Sequence, residues 1–247
     1  MKDLRPALVT RTRSSGTATH VRSPLEATLT ASHRTFLATR PPGADEDVHM
    51  VPALVDHVIE RCTRPGDLVL DPFAGFGTTL DRAVASGRRA LGIELLPERV
   101  EYVRRRVPAA HVIEGDAREL LRILPPALAG PAEGCVDLVL TSPPYMTATD
   151  HEADPLTAYE LDNGDYPRYL RELGMVAAQC ARVVTPGAYV VWNVADIHHR
   201  DHTTHLIDDC VRALGAYLTP VGITPIAWDR LPLDLVADAL LVFQRPA

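Results

Sequence analysis

From about residue 49 the hydrophobic positions alternate between two rhythms. Val51, Leu54, Val55, Val58 and Ile59 recur at helical spacing, and Pro65-Gly66 stops that helix. Leu68-Val69-Leu70 is a short continuous apolar run, the pattern of a strand buried on both faces. The alternation then continues. Helices are predicted over Thr79–Ser86, Pro97–Arg106, Ala117–Leu124, Tyr166–Val183 and Thr203–Leu214. Strands are predicted over Ala90–Glu94, His111–Ile113, Val136–Thr141 and Ala188–Val194. Two more strands, Val221–Trp228 and Ala237–Phe243, follow with no helix between them, so they are expected to pair antiparallel. Strands alternating with helices imply an α/β fold: a mostly parallel, seven-stranded sheet with an antiparallel last strand, covered on both faces.

Residues 1–47 read differently. They are rich in Ser, Thr, Ala, Arg and Pro and end in Pro41-Pro42-Gly43 and Asp45-Glu46-Asp47. Little regular structure is expected there apart from a short helix around 24–38. The chain is therefore divided into a basic, partly irregular N-terminal arm, 1–47, and one folded domain, 48–247.

Composition adds constraints. No apolar run reaches transmembrane length and the N-terminus lacks a signal peptide's apolar core, so a soluble, cytoplasmic protein is expected. Cys62, Cys135, Cys180 and Cys210 are widely spaced and lack the C-x-x-C pattern, which favours buried reduced thiols. The net charge of −7 is uneven: residues 1–40 carry +5 and the remainder −12. An acidic body is a poor surface for a phosphate backbone, so a long nucleic acid would depend on the arm or a local basic patch.

The most informative stretch is Leu70-Asp71-Pro72-Phe73-Ala74-Gly75-Phe76-Gly77-Thr78-Thr79, an apolar strand entering a glycine turn and then a helix. Glycines there let the backbone turn sharply and approach a ligand at the carboxyl end of the first strand, where nucleotides bind in such sheets. Glu94 ends the next strand at a distance that suits ribose hydroxyls, and Asp116 follows the third strand, where a carboxylate can accept from an adenine amino group. A dinucleotide fingerprint would need a third glycine two residues beyond Gly77-Thr78; Leu80 stands there. The set suits S-adenosylmethionine better than NAD.

The fourth strand ends in Thr141-Ser142-Pro143-Pro144-Tyr145. Two prolines fix φ and remove two N–H donors, so the turn presents carbonyl oxygens with few competing donors. An exocyclic aromatic amine is a poor nucleophile because its lone pair is delocalised into the ring. Hydrogen bonds from its two N–H groups to Ser142 Oγ and the Pro143 carbonyl would localise that pair and aim it at a methyl sulfonium, with Tyr145 stacked on the ring.

Asp-Pro-Phe-x-Gly-x-Gly-Thr-Thr followed by Thr-Ser-Pro-Pro-Tyr resembles the DNA amino-methyltransferases, which act on cytosine N4 or adenine N6, in the unpermuted motif order. The resemblance runs from about His49 to the C-terminus. His49–Ile59 is similar to the family's N-terminal helix, Arg182–Gly187 to the corner after the catalytic loop, Ile226–Arg230 to the end of its penultimate strand and Leu240–Arg245 to its last strand. The resemblance implies an S-adenosylmethionine-dependent methyltransferase fold, with Asp71, Phe73, Gly75, Glu94 and Asp116 binding the cofactor. The candidate cofactor set extends to Pro72, Ala74, Gly77, Thr78, Thr79 and Ala117, and to His49 and Pro52. Ser142, Pro143, Pro144 and Tyr145 form the candidate catalytic set.

Ser142 leans the expected acceptor toward cytosine N4, ahead of adenine N6, in DNA. RNA or a nucleoside-like small molecule is the alternative acceptor, and a cofactor-binding subunit that needs a recognition partner is the alternative role. A homodimer is compatible with this reading. Met146–Asp165, with Asp150-His151-Glu152 and Asp154, and the arm are the only spare material for target recognition. His198-His199-Arg200-Asp201-His202-Thr203-Thr204-His205 is read as a polar loop capping a helix, with no metal assigned.

Overall fold

The computed structural model describes residues 22–42, 49–126, 134–144, 166–198 and 202–245. Tyr145, the 146–165 segment, residues 1–21 of the arm and residues 199–201 of the histidine-rich loop lie outside them. In chain order come β1 (Leu29–Ala31), α1 (His33–Thr39), α2 (Pro52–Cys62), β2 (Leu68–Asp71), α3 (Thr78–Ala85), β3 (Arg89–Glu94), α4 (Pro97–Arg106) and β4 (His111–Glu114). A short 3-10 turn, Ala117–Glu119, leads into α5 (Leu120–Ile123). There follow β5 (Val136–Thr141), α6 (Tyr166–Val183), β6 (Val184–His198), β7 (Thr203–Thr204), α7 (Leu206–Gly215), β8 (Thr219–Trp228) and β9 (Leu235–Gln244).

The strands form one sheet in the order β1-β8-β9-β6-β5-β2-β3-β4, with β7 pairing on β6. The seven strands expected from the sequence are β2, β3, β4, β5, β6, β8 and β9. β2 to β6 run parallel, and β9 runs antiparallel between β6 and β8. The order reverses between β2 and β5, and ligands of open α/β sheets bind outside the carboxyl ends at such a point. Among the described residues no helix is long and apolar enough to cross a membrane.

Alternating side chains build two cores. One face carries Leu70, Val139, Val190, Trp192 and Leu241 against α5, α6 and α7. The other carries Val69, Leu138, Leu140, Val191, Leu240 and Val242 against α1 to α4. Leu80 of α3 is fully buried against β3, where a Cβ at Gly92 would lie 2.7 Å from the Leu80 Cδ1 and 2.9 Å from the Ala74 Cβ. A glycine in the second strand thus does the close-packing job that a third glycine does in the dinucleotide fingerprint. Burying a leucine of this kind contributes roughly 1.5–3 kcal/mol.

Two segments differ from expectation. Residues 29–39 are not a lone helix: Leu29–Ala31 adds a parallel edge strand to β8, pairing with Ile226–Trp228, and only His33–Thr39 is helical. Phe36 is buried, so this part of the assigned arm belongs to the sheet and its second core. The reason is tertiary: β8 offers an unpaired edge, and β1 satisfies it. The helix expected over Thr203–Leu214 begins at Leu206, because Thr203 and Thr204 pair antiparallel with His198 and Ile197. Thr203 and Thr204 therefore do not act as helix caps.

Candidate active site

The turn after β2 is built by its glycines. Gly75 (φ 51°) and Gly77 (φ 80°) occupy left-handed conformations. A Cβ on Gly75 would have only the Phe73 carbonyl oxygen near it, at 4.0 Å, so the space beside it is open. A Cβ on Gly77 would meet Val103 Cγ2 at 2.9 Å. Gly77 caps α3 without a side-chain hydrogen bond. Thr78 and Thr79 form its first turn, and Pro72 and Ala74 are buried beneath the loop.

Glu94 braces this loop. Its Oε2 accepts the Gly75 N–H at 2.7 Å and its Oε1 the Leu96 N–H at 2.9 Å. The Ala74 N–H donates to the Ile93 carbonyl at 2.8 Å, stitching the turn to the end of β3. Asp116 caps the turn that begins at Ala117, accepting the Arg118 N–H at 2.8 Å and the Arg118 guanidinium at 2.6 Å. Arg118 also reaches Glu172 of α6 at 2.8 Å. Burial raises the Asp116 carboxyl, but its hydrogen bonds from Arg118 outweigh that and hold it below the usual carboxylate range. Glu94 and Asp116 are thus oriented acceptors near the carboxyl ends of β3 and β4, and both hold the protein's own backbone.

Asp71 is buried at the end of β2. Its Oδ1 accepts the Phe73 N–H at 3.0 Å and the Thr141 hydroxyl at 2.6 Å. Burial pushes its carboxyl up to about 6, although the hydroxyls of Thr141 and Thr79 and the Phe73 N–H offset part of that. The Thr141 bond joins the cofactor strand to the strand that carries Ser142, Pro143 and Pro144. The other end of that turn is held from α6, where the buried Tyr169 donates its hydroxyl to the Pro144 carbonyl at 2.9 Å. Phe73 meets the buried Trp192 edge-on, with ring centroids 5.9 Å apart.

On the α2 side of the sheet, polar groups cross three strands. Asn193 Nδ2 donates to Asp238 Oδ1 at 2.6 Å and to the Ala239 carbonyl at 3.2 Å, and Trp228 Nε1 donates to Asp238 Oδ2 at 2.9 Å. Burial pushes the Asp238 carboxyl up to about 6, with the Trp228 and Asn193 bonds opposing it. β5 and β6 pair with Thr141 opposite Trp192, so this cluster lies at the same end of the sheet as Ser142. Trp228 meets Phe36 edge-on at 6.1 Å, and Phe36 stacks on His49 at 4.4 Å. Pro52 opens α2 beside them.

The structure brings Asp71, Glu94, Asp116 and Ser142 to the carboxyl edge of the sheet, as expected from their strand ends, and adds Thr141, Tyr169, Asn193 and Asp238, which the sequence did not single out. Asn193 and Asp238 did leave a signal, each a polar residue inside an apolar strand run. In the histidine-rich loop, His205 Nδ1 lies 3.4 Å from Asp196 Oδ2 and His198 Nδ1 lies 3.1 Å from Thr203 Oγ1. Among the described residues no three His, Cys, Asp or Glu side chains converge as metal ligands.

Residues 48–105 match the N6/N4 methyltransferase family, described as DNA methylase. The DNA adenine methyltransferase YhdJ of Escherichia coli is 47% identical over 58 residues, 24% of this chain and 20% of that protein. A 4-amino-L-phenylalanine/4-methylamino-L-phenylalanine methyltransferase of Streptomyces pristinaespiralis is 31% identical over 188 residues, 71% of this chain and 58% of that protein. The chain thus spans less than two thirds of the length of either relative. Among solved structures, the geranyl diphosphate C-methyltransferase of Streptomyces coelicolor superposes with a TM-score of 0.53 at 11% identity, over 89% of each chain. That likeness speaks for the fold alone, a Rossmann-like S-adenosylmethionine-dependent methyltransferase fold. The glycine turn and its brace Glu94 lie within the matched segment, so the likeness to the N6/N4 family of DNA methylases covers residues 48–105.

Proposed function

We propose that this protein transfers a methyl group from S-adenosylmethionine to an exocyclic amino nitrogen of an aromatic ring, in first place a DNA base, cytosine N4 ahead of adenine N6. The observation that carries the reading is the 2.6 Å bond from Thr141 to Asp71, which ties the Ser142-Pro143-Pro144 turn to the end of the cofactor strand. A donor site and an acceptor site held rigidly side by side are what an in-line transfer needs.

The cofactor fits the residues present. Its ribose hydroxyls, adenine amino group and ammonium are donors, and Glu94 and Asp116 are acceptors at the ends of adjacent strands. The open space beside Gly75 admits a ligand close to the backbone. When bound, the cofactor supplies an electrophilic methyl group on a sulfonium. The chain's own part is to accept the two N–H bonds of the acceptor amine at Ser142 Oγ and the Pro143 carbonyl. That would localise the nitrogen lone pair and aim it at the methyl group, with the bound cofactor's sulfur left as a neutral thioether. The nitrogen then loses a proton to water, so no strong base is required. Tyr145 is assigned the stacking role on the acceptor ring.

A second reading, a free aromatic amine as acceptor, is favoured by one observation. The relative named for 4-amino-L-phenylalanine aligns over 188 residues, the DNA adenine methyltransferase over 58. A para-amino group on a benzene ring has the same delocalised lone pair and the same two N–H bonds, and asks for no phosphate surface on the acidic body.

The test is methyl transfer from radiolabelled S-adenosylmethionine to duplex DNA, single-stranded DNA, tRNA, free nucleosides and 4-aminophenylalanine, with identification of the methylated atom. Label on a DNA amino group supports the first reading. Label confined to nucleosides or the amino acid moves the acceptor to a small molecule. Label on carbon or oxygen would overturn the chemistry.

A further inference from the structure

A turn with two successive prolines exposes several carbonyl groups with few N–H groups to pair them, so an incoming amine meets more than one acceptor. α6 reduces that choice. Tyr169 sits in its first turn, wholly buried, and donates its hydroxyl to the Pro144 carbonyl. Its ring is fixed by the core beneath β5 and β6 and lies nearly parallel to Tyr166, centroids 6.1 Å apart. A phenylalanine would fill the same space, so packing alone does not ask for the hydroxyl. The opposite end of the turn is held by Thr141 on Asp71. Ser142 and Pro143 lie between these two restraints.

Tyr166 makes an informative contrast. It stands on the same helix, and its hydroxyl donates to Asp209 of α7 at 2.6 Å. That is a charge-assisted bond between two helices, and it touches no part of the turn.

We propose that Tyr169 is a positioning residue for methyl transfer: by engaging the Pro144 carbonyl it fixes the turn so that the acceptor amine meets Ser142 and the Pro143 carbonyl. The proposal rests on the reading of this turn as the acceptor site. The bond selects one carbonyl of the turn for the protein and the preceding one for the substrate. Tyr169 does not itself touch the acceptor.

The experiment compares Tyr169→Phe with Tyr166→Phe. Each variant loses one hydroxyl, and Tyr166→Phe loses the stronger bond. In Tyr169→Phe, kcat is expected to fall about 10- to 100-fold, the range that a small misalignment of reacting groups costs. Cofactor affinity is expected to stay at the wild-type value. Tyr166→Phe is expected to keep wild-type kcat while melting at a lower temperature. Hydrogen exchange of the peptide covering Thr141–Tyr145 reads the turn without any acceptor, and it is expected to quicken in Tyr169→Phe only. Wild-type exchange in Tyr169→Phe overturns the proposal, as does faster exchange with unchanged kcat, or an equal loss of kcat in both variants. A wild-type protein that transfers no methyl group to any aromatic amine breaks the functional reading, and exchange alone then decides the role of Tyr169.

Discussion

The two halves of the sheet's carboxyl edge are assembled over very different distances along the chain. On the cofactor side, Asp116 is met by Arg118 two residues away, Asp71 by the Phe73 N–H two residues away, and Glu94 by Gly75 nineteen residues back. On the acceptor side, Pro144 is held by Tyr169, Asn193 by Asp238, and Thr141 reaches back seventy residues to Asp71. The half built on β2, β3 and β4, proposed to hold the cofactor, is a set of loops that each carry most of their own bracing. The half proposed to hold the acceptor exists only once β5, β6, β8, β9 and α6 are side by side. The family match covers 48–105, which includes Asp71 and Glu94 and stops before β4 and Asp116.

Substitutions can separate the halves, and the largest effect is expected at Ser142. Ser142→Ala should lower methyl transfer by about 100-fold or more while leaving cofactor affinity unchanged, because the lost hydrogen bond acts on the acceptor nitrogen alone. Transfer at a near-normal rate would remove Ser142 from the site. Glu94→Ala should do the reverse and weaken S-adenosylmethionine binding, read by calorimetry, by about tenfold or more, or at least 1.4 kcal/mol. The Gly75 and Leu96 N–H groups would lose their acceptor and the loop its shape. An unchanged dissociation constant would leave Glu94 a bystander.

Gly77→Ala tests the loop's backbone. The residue would take a left-handed φ and press on Val103, so a loss of roughly 1–3 kcal/mol of unfolding free energy is expected. Wild-type stability in denaturant would show that the turn relaxes at no cost.

The smallest effect concerns pH. Asp71 and Asp238, each pushed up to about 6, bind protons in the folded state that the unfolded chain releases near its ordinary carboxylate value. The unfolded state therefore holds fewer protons between these values, so the contribution of the two groups falls as pH rises. It is complete below the unfolded pKa and lost as pH passes about 6. Asp238→Asn is neutral throughout and should reduce the stability gained between pH 7.5 and 5 by about 1 kcal/mol relative to wild type. Identical pH slopes in the two proteins would mean that Asp238 titrates at an ordinary value.

By itself the chain determined most of its strands and helices from Leu68 onward and the glycine turn after β2. It also placed Asp71, Glu94 and Asp116 at or just beyond strand ends, and Ser142-Pro143-Pro144 in the turn after β5. These are local matters: periodicity sets which face of an element is buried, and a left-handed turn or an unpaired carbonyl depends on the residues that make it. Other features waited for the tertiary structure. β1 forms because β8 presents an open edge, and α7 starts late because β6 captures Thr203 and Thr204. Asn193 and Asp238 stand out only as polar residues in apolar strand runs, which names no partner for them, and Tyr169 reads as an ordinary residue of a helix. Their hydrogen bonds span 45 and 25 residues, and no spacing rule along the chain brings such partners together. Only the packing of α6 against the end of β5, and of β9 between β6 and β8, places those groups within bonding distance.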